Sequence, residues 1–71
     1  MFATVGIVYG SWRIVQFGTR EECKARAIRE HRESHGGEVG IAKFEQAQKA
    51  EAEGEQVAIT GYVPAFKLLQ E

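Results

Sequence analysis

Phe2-Ala3-Thr4-Val5-Gly6-Ile7-Val8-Tyr9-Gly10-Ser11-Trp12-Arg13-Ile14-Val15-Gln16-Phe17 decides the fold of this 71-residue chain. Both halves of the stretch are rich in β-branched and aromatic side chains, which suit a pleated, half-buried surface. Gly10-Ser11 lies between them, and glycine at the first position of a two-residue loop favours a type II′ hairpin turn. In that register Tyr9 opposes Trp12, Ile7 opposes Ile14 and Val5 opposes Gln16. Opposed residues share a face of a sheet. Ala3, Val5, Ile7, Tyr9, Trp12 and Ile14 therefore form one face, the better core. Phe2, Thr4, Gly6, Val8, Arg13, Val15 and Phe17 form the other, which is only partly polar.

After the hairpin, Thr19 with Glu22 three residues on fits a capping box, in which each side chain satisfies the other residue's free backbone N–H. Good helix formers continue to Ser34-His35, and Gly36-Gly37 supplies the stop. The apolar stripe of this helix is narrow: Cys23, Ala27 and Ile28, extended by His31. Its opposite face pairs Glu22 with Arg26, Arg26 with Glu30 and Arg29 with Glu33 at i, i+4, the pattern of a solvated surface. Val39, Ile41 and Lys43 alternate briefly like a strand. The run from Lys43 to Glu53 contains only good helix formers apart from Phe44, however, and predicts a second helix from about 41 to 53 with Ile41, Phe44 and Ala47 inward. Gly54 then ends it. Residues 56–63 predict a strand with Val57, Ile59 and Val63 on one face, closed by Pro64. The expected fold is α+β: an antiparallel three-stranded sheet made of the N-terminal hairpin and a C-terminal strand, with two helices packed on one face. The expected order is ββααβ, within one compact domain spanning residues 1–71.

A chain of this length buries only about 60% of the surface that it exposes when unfolded. Disulfides, a metal or a second subunit commonly support such a domain. Cys23 is the only cysteine, so a disulfide within the chain is excluded and a reducing, cytoplasmic setting is expected. No basic leader opens the sequence, and no apolar run reaches the length of a signal peptide or a membrane span. The formal net charge is −1, from nine basic residues and ten acidic ones, every one of them glutamate. The first half of the chain is net basic and the second net acidic.

Catalytic and metal-binding readings fail on spacing. His31 and His35 sit one helical turn apart and supply two ligands, short of the four that a structural zinc site takes. Cys23 lies about 12 Å along the axis from His31, too far to complete the site or to use that imidazole as its base. Cys23 reads instead as a small buried side chain. Gly36-Gly37-Glu38-Val39-Gly40 follows a helix, whereas a phosphate loop follows a strand and opens a helix. No catalytic residue, cofactor or metal is expected, and the chain does not read as an enzyme.

The positive signal is the second face of the hairpin, where Phe2, Val8, Val15 and Phe17 would lie away from the helices. Contiguous apolar patches of this kind mark interaction surfaces unless the C-terminal tail covers them. Tyr9, Trp12 and Arg13 at the hairpin tip are residue types favoured at binding hot spots, and Glu51, Glu53 and Glu55 can meet basic groups on a partner. The expected site is therefore Tyr9, Trp12, Arg13, Phe17, Glu51, Glu53 and Glu55. The expected function is a non-enzymatic protein-binding module that acts by occluding a partner's surface. In size and style alone, with no motif carried over, the chain resembles small phage-encoded proteins that block host machinery, anti-CRISPR proteins among them; the resemblance implies an inhibitor of a host defence complex. Two alternatives are a nucleic-acid-binding regulator using the Arg- and Lys-rich first helix, and a structural homo-oligomer, a homodimer in its simplest form. Glutamates interleaved with the arginines weigh against nucleic acid, and neither helix has the apolar and basic faces that membrane binding needs.

Overall fold

The hairpin forms, and its first strand becomes an inner strand of a larger sheet. In the computed structural model, which describes residues 1–34 and 37–71, β1 (Phe2–Val8) is flanked by β2 (Ser11–Gly18) on one side and β3 (Val39–Lys43) on the other. A two-residue β4 (Val63–Pro64) extends the sheet beyond β3, giving the order β2-β1-β3-β4 with every pairing antiparallel. The helices are α1 (Arg20–Glu33), α2 (Phe44–Glu53) and a single turn, α3 (Ala65–Leu68). The fold is α+β, with four strands rather than three and the order ββαβαβ rather than ββααβ.

The turn of the hairpin is Tyr9-Gly10, one residue earlier than expected. Both residues have positive φ, 51° and 81°, the signature of a type I′ rather than a type II′ turn. Val8 therefore faces Ser11, Ile7 faces Trp12 and Val5 faces Ile14. The slip moves each pairing by two positions, so Val5, Ile7, Trp12 and Ile14 still share a face as the pattern required. A bulge between Val5↔Ile14 and Thr4↔Gln16 then inserts one extra residue in β2. Beyond it the alternation inverts, and Phe17 pairs with Ala3 instead of joining Val15 on the opposite face.

β3 replaces the first turn of the expected second helix. The uncovered edge of β1 takes Val39–Lys43 as its second neighbour, and four of these five residues are buried. Ladder hydrogen bonds and burial on both faces outweigh helix propensity in a five-residue segment. The expected strand at 56–63 is not a strand except at Val63. Residues 55–62 instead lie across a face of the sheet, with Val57, Ile59 and Tyr62 packed inward. Trp12 anchors this strap by donating its indole N–H to the Val57 carbonyl at 2.6 Å.

The helices do not share a face. Thr4 points at α1, where its hydroxyl donates to the Cys23 carbonyl at 2.8 Å, while its neighbours Ala3 and Val5 pack with Ala47 and Ala50 of α2. Successive strand residues point to opposite sides, so the sheet is sandwiched between α1 and α2, which make no contact with each other. One core contains Cys23, Ala27, Val39, Ile41, Ala65 and Leu68; the other contains Ala3, Val5, Trp12, Ala47 and Ala50. The face expected to lie bare, around Phe2 and Val15, is thus the seat of α1 and α3. The mixed sequence of β1, apolar at even and odd positions alike, is what a strand covered on both faces should show.

Thr19 caps α1 as predicted, with both halves of the capping box formed. Cys23 is free and fully buried. The expected end of this helix at His35-Gly36, and the pairing of His31 with His35, lie in part outside the described residues.

Candidate functional site

The hairpin tip and the end of α2 meet. Ser11, the first residue of β2, donates its hydroxyl to the carbonyl of Gly54 at 2.9 Å, and Gly54 closes α2 in a left-handed conformation. This one contact sets Glu53 and Glu55, both exposed, beside the Tyr9-Gly10 turn. The last turn of α2 contains no basic residue. Its free carbonyls carry the negative end of the helix dipole, so Glu53 and Glu55 add like charge where a cation would be stabilising.

Tyr9 stands out at this tip. Its accessibility is 102%, and its backbone is in the left-handed region that favours glycine, asparagine and aspartate. An L-residue with a bulky side chain costs about 1–2 kcal/mol there. Among the described residues no packing of the ring offsets that cost. Arg13, exposed on β2 opposite Gly6, makes no ion pair among the described residues.

The remaining members of the expected set are placed elsewhere. Trp12 is 4% exposed, spent on the core through its Val57 hydrogen bond and an edge-on contact with Tyr62 at 5.1 Å between ring centres. It presents almost no surface to a partner. Glu51 turns towards the sheet, and its carboxylate accepts the Ile14 N–H at 2.9 Å on the outer edge of β2. It blocks that edge rather than reaching for a partner. Phe17 is exposed, but it lies at the opposite end of β2 from the tip, against Phe44. The structure therefore brings the Tyr9 turn, through Ser11, to the end of α2 that carries Glu53 and Glu55. Arg13 alternates with Trp12 and so lies on the α1 side of β2, and Trp12, Glu51 and Phe17 are placed apart from the group. Sequence reasoning missed Ser11 and Gly54, whose bond assembles the group; a contact across more than forty residues leaves no local trace.

Three further carboxylates, Glu71, Glu30 and Glu22, serve the fold. Glu71 pairs with Arg20 at 2.7 Å and Lys24 at 3.1 Å, and Glu30 pairs with Arg26 at 2.7 Å. Hydrogen bonding from Arg20, then from Lys24, holds the Glu71 carboxyl down to about 2. The Thr19 backbone N–H, with its hydroxyl, lowers Glu22 in the capping box. These pairings also neutralise much of the basic first half, since Arg20, Lys24 and Arg26 are all engaged. Among the described residues no three acidic, histidine or cysteine side chains gather as metal ligands would, and no helix is long and apolar enough to cross a membrane. Compared with protein-family models, with curated proteins and with solved structures, the chain matches none.

Proposed function

We propose that the chain is a non-enzymatic protein-binding module that docks on a basic surface of another protein through Tyr9, Glu53 and Glu55 and works by covering that surface. One observation carries the reading: a fully exposed aromatic ring is held in an unfavourable backbone conformation beside an uncompensated acidic helix end. The type I′ turn requires this backbone conformation but not a tyrosine ring, and an exposed ring placed there beside like charge at a helix end is a feature expected of a contact site. Tyr9 would supply a rigid amphipathic anchor, and the glutamates would meet arginine or lysine around it. The buried, unpaired Cys23 suits a reducing, cytoplasmic setting. Inhibition of a host defence complex, in the manner of the small phage-encoded proteins that the chain resembles in size, is the specific form that we assign to this reading.

The test is co-purification from the native host, followed by titration of the captured complex with pure variants. Wild type should bind one complex with an affinity that falls as salt rises. Tyr9→Asn should bind at least tenfold more weakly while unfolding at a higher temperature, because asparagine relieves the strain by about 0.5–1 kcal/mol. Glu53→Lys with Glu55→Lys should abolish binding. Capture that survives all three substitutions together overturns the proposal.

A further inference from the structure

We infer that the opposite end of the sheet is a self-association surface whose occupant is a second copy of this chain, related by a two-fold axis. This inference does not rest on the role assigned to the hairpin tip, which lies about 20 Å away at ~3.3 Å per residue of β1.

Met1, Phe17 and Phe44 meet at that end. Met1 is 68% and Phe17 60% exposed, the rings of Phe17 and Phe44 lie 5.4 Å apart, and the Phe44 N–H is bound to the Met1 carbonyl. Met1, Phe2, Lys43, Phe44 and Glu45 line a groove of about 360 Å³ beside them. Phe17 is there because of the bulge in β2. Without the extra residue the strand would keep its alternation and carry Phe17 to the α1 face with Val15. Bulges re-aim side chains, and this one aims an aromatic ring at solvent next to a second aromatic ring.

Charge selects the occupant. Lys43 and Glu45, both exposed, flank Phe44 on the rim of the groove, and neither has an ion-pair partner among the described residues. A two-fold axis brings the same patch against itself, so residue i of one copy meets residue j of the other and the reverse. Such an axis through Phe44 sets Lys43 of each copy against Glu45 of its mate, two ion pairs around an aromatic centre. A uniformly charged partner would satisfy one of these groups and oppose the other.

Sedimentation velocity over a concentration series tests the inference, with circular dichroism to verify each variant's fold. Wild type should pass from monomer to dimer as concentration rises. Phe17→Glu should shift that transition at least tenfold upward. Lys43→Glu alone and Glu45→Lys alone should each weaken the dimer, since each sets like charges face to face. An equimolar mixture of these two variants should restore it as a heterodimer, as should the doubly exchanged chain with itself. Tyr9→Asn should dimerise like wild type. Wild type that stays monomeric up to about 1 mM, the weak limit of specific association, overturns the inference. So does a mixture that fails to restore association, and so does a monomeric wild type whose capture of another protein is lost in Phe17→Glu, which would make that protein the occupant instead.

Discussion

Gly40 and Tyr62 show how closely single residues are fitted. A side chain on Gly40 would drive its first carbon into the Val63 carbonyl oxygen and within 2.6 Å of the Tyr62 ring, the former being backbone that cannot rotate away. Gly40→Ala should therefore cost about 3 kcal/mol, read from the midpoint of urea unfolding. Tyr62 is the converse case. Its hydroxyl is buried with no partner in hydrogen-bonding geometry among the described residues. Burial raises the phenol's pKa well above its ordinary value, and the nearby Glu38 carboxylate adds to the rise. Removing the hydroxyl should leave the ring's contact with Trp12 in place, so Tyr62→Phe should stabilise the chain by about 1 kcal/mol in the same measurement. At this scale legibility followed sequence distance. The Thr19–Glu22 box spans three residues and could be read directly. Alternation also put Trp12 on the core face of the hairpin, where it is buried, but its hydrogen bond to the Val57 carbonyl could not be read, because that partner reaches it only through the tertiary fold.

At the scale of elements, β2 is an edge strand whose amides would invite pairing with another chain. Glu51 answers that hazard by taking the Ile14 N–H from the side. Glu51→Ala should destabilise by about 1 kcal/mol, and the Ile14 amide should lose its protection from hydrogen exchange before its neighbours on β1 do. The hairpin, α1 and most of α2 were legible because period and propensity agree in them. Val39–Lys43 was not, because two of its five residues are small and good helix formers follow at once. The segment at 56–63 gave the right inward residues, Val57 and Ile59, yet the wrong structure: alternation records which side chains are buried, and a strap lying on a sheet buries them as well as a strand within it. Phe17 was misplaced for a related reason, since an inserted residue changes facing without changing composition.

For the whole molecule, the decisive fact is that the sheet is covered on both sides. An apolar excess on the hairpin's second face was legible; that α1 and α3 cover it depends on which way the chain turns after Gly18. The clasp of Arg20 and Lys24 on Glu71 joins α1 to the segment after α3, and it makes stability depend on acid. Glu71 and Glu22 are both held below the ordinary carboxylate value of 4.5, Glu71 at about 2. A lowered carboxyl favours the folded state above the unfolded-state value and loses that effect as protons bind on the way down. The thermal midpoint should thus be level above pH 5 and fall between about 4.5 and 2. Glu71→Gln should flatten the fall, and added salt should shrink it, because the pair is exposed and screened. The placement of β1 between β2 and β3 also has a consequence for synthesis. On the ribosome the hairpin is made before β3, which follows only after all of α1, so the inner edge of β1 stays bare while the nascent chain grows. Crowded translation is the moment at which neighbouring copies could zip together wrongly, and a rapid, well-capped α1 shortens it.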